Sequence, residues 1–119
     1  MTPDNFVNAL KTEVRDTAAL DTIAQIRTPS GRRPSDEIRN LSNWFNQLSE
    51  TDQAAVGKVA AMTAHSAIFG FLCVLDGVRK IEDEGEEGEF ELSYKGNGQE
   101  KIRLNPPVGD MLHDILNAD

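Results

Sequence analysis

The stretch "HSAIFGFLCVLDGVRKIEDEGEEGE", residues 65–89, changes character at its midpoint: nine apolar or small residues in succession, 67–75, give way to a run dominated by carboxylates. The first half belongs to a helical pattern. Ala61, Ala64, Ile68, Phe71, Leu75 and Val78 recur at alternating steps of three and four, and so, on roughly the opposite side, do Thr63, Ser66, Gly70, Cys73 and Gly77. One stripe is large and apolar, the other small. The pattern predicts one long helix, central and buried, with neighbours on both sides and no strong stop before Gly77 or Gly85. Ser66, Gly70, Cys73 and Gly77 then form a face for close helix packing, against this chain or against a second copy in a homodimer, because small residues let another backbone approach.

Towards the N-terminus two further helices follow. Thr2 before Pro3 and Asp4 is an N-cap with proline at the first helical position, and Phe6, Val7, Leu10, Val14 and Ala18 repeat at helical spacing. Asp21 is either an exposed acid within this helix or the cap of a new one. The element ends before "TPSGRRPS", where Pro29, Gly31 and Pro34 interrupt any regular structure. Ser35 caps the next helix, whose apolar face of Ile38, Leu41, Trp44, Phe45 and Leu48 requires burial. Ser49, with Asp52 three residues on, opens the long helix.

Beyond the acidic run the period becomes two. Phe90, Leu92 and Tyr94 point one way and Ile102 and Leu104 alternate with Lys101 and Arg103, which predicts a hairpin. A three-residue loop Gly96-Asn97-Gly98, with Gly98 left-handed, pairs Leu92 with Ile102 and Phe90 with Leu104. Asn105, Pro106 and Pro107 end the second strand and start a last helix carrying Val108, Met111, Leu112, Ile115 and Leu116. The expected architecture is a helix-rich α+β fold over a single domain, 1–119, with about four helices and a two-stranded antiparallel hairpin before the last of them.

Composition narrows the chemistry. At 119 residues the chain is expected to bury roughly two thirds of its unfolded surface. The N-terminal residues lack the pattern of a secretory signal, and the run 67–75 is shorter than a bilayer span, so a soluble cytoplasmic protein without membrane contact is expected. The single Cys73 forms no internal disulfide. His65, Cys73 and Asp76 suggest a nucleophilic site, but on one helix His65 is displaced from Cys73 by about 12 Å and from Asp76 by about 16 Å. Neither a metal site nor a cofactor motif is expected from these spacings, and no catalytic residue is assigned.

Charge supplies the functional expectation. The chain carries a formal charge of -8, and Glu82, Asp83, Glu84, Glu86, Glu87, Glu89 and Glu91 hold nearly all of it in a stretch without Lys or Arg. Such a segment disfavours direct nucleic-acid binding and favours a basic protein partner. The leading expectation is a non-enzymatic interaction protein, inhibitor-like or immunity-like, that docks a basic partner on these seven acids and the adjacent hairpin. Three other readings stand beside it: a solvated loop with no partner, a nucleic-acid mimic, and a small-ligand or enzyme module whose site gathers His65, Asp76, Tyr94 or His113.

Overall fold

A computed structural model describes residues 1–118. In chain order it contains α1 (Pro3–Leu10), a π-helical segment (Lys11–Asp16), α2 (Thr17–Arg27), α3 (Asp36–Asn46), α4 (Glu50–Leu75), β1 (Ser93–Lys95), β2 (Lys101–Arg103) and α5 (Leu112–Asn117). The helix-rich α+β architecture is as expected, with one helix of 26 residues and a hairpin before the C-terminal helix. The chain divides into two compact units, one formed by Met1–Glu13 with the chain from Ser66 onward, the other by Val14–His65.

The capping residues lie where the sequence places them. Thr2 accepts from Asn5 N–H at 3.1 Å, Ser35 from Ile38 N–H at 3.3 Å and Ser49 from Asp52 N–H at 3.1 Å, each satisfying an orphan amide of a first turn. Asp21 is an exposed acid inside a continuous helix. The widened π turn shifts the half-buried positions, which fall at Phe6, Leu10 and Lys11 and then at Arg15, Ala19, Ile23 and Ile26. Val14 and Ala18, expected to share the inner stripe, are exposed, because a π turn adds a residue that a 3.6-residue period does not count.

In the first unit, Val7 of α1, Leu72 of α4 and Leu112, Ile115 and Leu116 of α5 form the core. α4 ends at Leu75 in a Schellman motif: Gly77 N–H donates to Val74 C=O at 3.1 Å and Val78 N–H to Cys73 C=O at 3.0 Å, with Gly77 at φ +78°. A Cβ on Gly77 would meet nothing within 4 Å. Its role is therefore to terminate the helix, not to admit a neighbouring backbone. At Gly70 a Cβ would meet the guanidinium of Arg79, so the close approach there is made by a side chain.

The expectation of a helix buried on two faces is corrected. Gly70, Leu72 and Cys73 are the buried residues of α4, while Ala61, Phe71 and Val78 of the large stripe are exposed. By length and composition α4 can also cross a membrane, with a mean hydropathy of 1.6 over an 18-residue window of which 17% is buried. The contiguous run 67–75 understates this, because small residues on either side of Thr63, His65 and Ser66 keep the average high.

The hairpin pairs Ser93 with Arg103, Tyr94 with Ile102 and Lys95 with Lys101. Leu104 N–H donates to Leu92 C=O at 2.7 Å, so Leu92 faces Leu104 and not Ile102. The expected parity holds, but the loop is longer by two. Gln99 N–H closes a turn onto Gly96 C=O at 3.1 Å, with Gly98 at φ +71°, and both Gln99 and Glu100 lie outside the ladder.

The last helix begins at Leu112, not at the prolines, and leaves Val108 and Met111 exposed. Its start is set by Asp76, whose Oδ1 accepts from Leu112 N–H at 3.1 Å and whose Oδ2 accepts from His113 N–H at 2.9 Å. A carboxylate from a distant element does the work of an N-cap.

In the second unit Phe45 and Ser42 are buried. The Arg27 guanidinium lies over the Phe45 ring at 5.6 Å, Asn46 Nδ2 donates to Arg27 C=O at 3.0 Å, and Gln53 Nε2 donates to Phe45 C=O at 3.1 Å. The apolar face of α3 is only partly covered: Ile38 and Leu48 are half-buried, while Leu41 and Trp44 are 40% and 51% exposed. This corrects the expectation that the whole face is buried.

Candidate functional site

The seven acids lie between α4 and β1. A turn closes on itself where Glu86 N–H donates to Asp83 C=O at 3.0 Å. Arg103 of β2 engages the far end, its Nη1 standing 3.2 Å from Glu91 Oε1 and its Nη2 3.8 Å from Glu89 Oε1. Among the described residues, Glu82, Asp83, Glu84, Glu86 and Glu87 form no ion pair. Glu82 is half-buried and the other six are exposed. The segment's charge is thus balanced at one end only.

Within the segment is a hollow of about 240 Å³ lined by Glu82, Glu86, Glu87, Gly88, Glu89 and Phe90. Phe90 is 43% exposed there. A hollow lined by a phenylalanine and four glutamates suits the side chain of lysine or arginine, whose methylene stem lies on apolar surface while its cationic head meets acids.

The ends of the segment are fixed by Asn105, a buried residue that sequence reasoning treats only as a strand terminator. Its Nδ2 donates to Leu75 C=O and to Phe90 C=O, both at 2.8 Å, and its Oδ1 accepts from Leu92 N–H at 2.8 Å and Arg103 Nε at 3.4 Å. Every hydrogen-bonding position of the amide that faces these strands is used. A single side chain joins the last carbonyl of α4 to the start of the hairpin.

Of the residues considered for an enzyme or ligand module, Asp76 and His113 meet, with Nδ1 donating to Asp76 Oδ2 at 2.6 Å and the His113 ring edge-on to Phe69 at 5.6 Å between centroids. The Asp76 side chain is 3% exposed and both its oxygens are occupied by α5. His65 belongs to the second unit, where Arg15 Nη1 donates to its Nδ1 at 3.2 Å. Tyr94 faces Ile102 across the hairpin and is 43% exposed. Cys73 is a buried free thiol, Ser66 is exposed, and among the described residues no three His, Cys, Asp or Glu side chains are grouped as a metal would require.

Comparison with known proteins finds no matching family model, no matching curated protein and no matching solved structure.

Proposed function

We propose that this chain is a non-enzymatic interaction protein that takes a basic segment of a partner protein on residues 82–91 and the adjacent hairpin, a role of the inhibitor or immunity type. The observation that supports it most directly is the acid-bordered hollow over Phe90. A merely solubilising loop needs charge but no concavity. Here an aromatic residue and four acidic ones line one concavity, and five acids of the segment keep their charge uncompensated by any ion pair among the described residues. Anchorage by Asn105 keeps the cost of ordering low when a partner arrives. The mimic reading receives less support, because seven acids in one segment, two of them facing Arg103, make a short track compared with a nucleic-acid backbone.

The test uses a fluorescently labelled peptide rich in Lys and Arg, titrated by anisotropy at low and at moderate ionic strength. Binding is expected to weaken as salt rises and to fall at least tenfold in Glu82→Lys/Glu86→Lys/Glu87→Lys, with the far-ultraviolet spectrum unchanged. An affinity that is indifferent to both salt and the triple reversal would sink the proposal.

A further inference from the structure

Two places in the chain set an aspartate or asparagine directly before glycine, Asp76-Gly77 and Asn97-Gly98. The pairing has its own chemistry. Glycine has no side chain to keep its nitrogen away from the γ-carbonyl of the preceding residue, so the backbone can close a five-membered ring on that side chain. The two pairs are held in different ways.

At Asp76-Gly77 the reacting atoms are engaged. The Asp76 side chain is 3% exposed, its oxygens accept from Leu112 N–H at 3.1 Å and His113 N–H at 2.9 Å, and Gly77 N–H donates to Val74 C=O at 3.1 Å. Ring closure there would break these hydrogen bonds. At Asn97-Gly98 both residues are exposed at the hairpin tip. Gln99 N–H closes the turn around them onto Gly96 C=O, and among the described residues neither the Asn97 side chain nor Gly98 N–H has a hydrogen-bond partner. Gly98 stands at φ +71°, and a Cβ built on it would find nothing within 4 Å, so the space around its nitrogen is open.

Charge acts in the same direction. Residues 95–101 carry Lys95 and Lys101 against Glu100 alone, and the two lysines pair across the ladder. A tip of net positive charge favours the deprotonated backbone nitrogen that attacks, and a new carboxylate there offsets the pair of like charges.

We infer that Asn97 is a site of self-modification, at which the hairpin tip deamidates without an enzyme. The Gly98 nitrogen, having given its proton to hydroxide, attacks Asn97 Cγ. The new C–N bond closes a succinimide, the bond from Cγ to the side-chain nitrogen breaks, and that nitrogen leaves as ammonia after taking a proton from water. Water then opens either ring carbonyl, which leaves aspartate or isoaspartate at position 97; nothing is oxidised or reduced. The tip passes from a formal charge of +1, two lysines against one glutamate, to zero. The isoaspartate product also adds a backbone methylene inside the turn that Gln99 closes. The inference does not depend on the acidic segment having a partner.

The experiment stores the full chain in warm buffer at neutral and at mildly alkaline pH, with a free peptide of residues 93–103 kept alongside. Trypsin then cuts after Lys95 and Lys101, and mass spectrometry reads residues 96–101. This fragment of the folded chain is expected to gain one mass unit at a rate comparable to that of the peptide, to resolve into two products, and to react faster in proportion to hydroxide. On anion exchange the intact chain is expected to move by one negative charge beyond -8. Asn97→Gln, which would need a larger ring, is expected to stop the change. The fragment that carries Asp76-Gly77 is expected to stay unaltered in the folded chain and to isomerise in urea. A folded chain that keeps the Asn97 amide while the free peptide loses it overturns the inference. An equal mass gain in Asn97→Gln places the reaction at Gln99 and overturns it as well.

Discussion

Four hydrogen bonds converge on the Asn105 amide, and replacing it with alanine removes them all while leaving the Leu75 and Phe90 carbonyls and the Leu92 N–H without that partner. Asn105→Ala is expected to cost about 3 kcal/mol in urea denaturation. Asn105→Asp is expected to fare no better, because its second oxygen would face two carbonyls where the amide donates. Asp76 belongs to the same class of residue, a polar side chain whose partners lie far along the chain. Neither role is legible in the sequence, since the separations involved, 30 residues for Asn105 to Leu75 and 36 for Asp76 to Leu112, exceed any helical or strand period. The caps at Thr2, Ser35 and Ser49 are legible because each bonds an amide three residues away.

At the scale of elements, Gly70 and Gly77 read alike in the sequence, seven residues apart on one stripe, and the structure separates them. Gly77→Ala forces a left-handed backbone on a residue with a Cβ and is expected to cost about 1–2 kcal/mol. Gly70→Ala meets only the mobile end of Arg79 and gains helix propensity, so a change of less than about 0.5 kcal/mol is expected. Thermal unfolding of the two variants side by side checks this; a loss at Gly70 equal to that at Gly77 would mean that Arg79 does not yield to a Cβ at Gly70. The hairpin shows a similar division. Alternation of apolar residues fixes which face each side chain occupies, so parity is legible, but a shift of two residues preserves parity, and the Gly96–Gln99 turn selects the longer loop. The late start of α5 has the same kind of cause: proline permits a helix to begin at 106, and the Asp76 carboxylate determines that it begins at Leu112.

For the whole chain, helix periodicity locates every helix but does not report whether its apolar face finds a partner. Trp44, Leu41 and Leu20 satisfy the pattern of burial and remain in contact with solvent. Amphipathicity states a requirement, and the requirement is met only where other elements are available to cover the face. The first unit has α1, α5 and the hairpin to close over the end of α4, so its core was largely legible, whereas in the second α2 and α3 pack on each other and leave Leu20, Leu41 and Trp44 in solvent, which periodicity alone does not report.

The arrangement of Asp76 and Asn105 has one more consequence, for proteolysis. Together they tie the chain on both sides of residues 82–91, so the acidic segment is a detachable span between two fixed posts. A glutamate-specific protease acting at low enzyme ratio is expected to cut there first, and the two fragments are expected to elute together and unfold as one cooperative species, separating only in denaturant. Fragments that part in native buffer would show that the ties do not hold without the covalent link. Evolution can therefore lengthen, shorten or recharge this span with little effect on the packing beneath it.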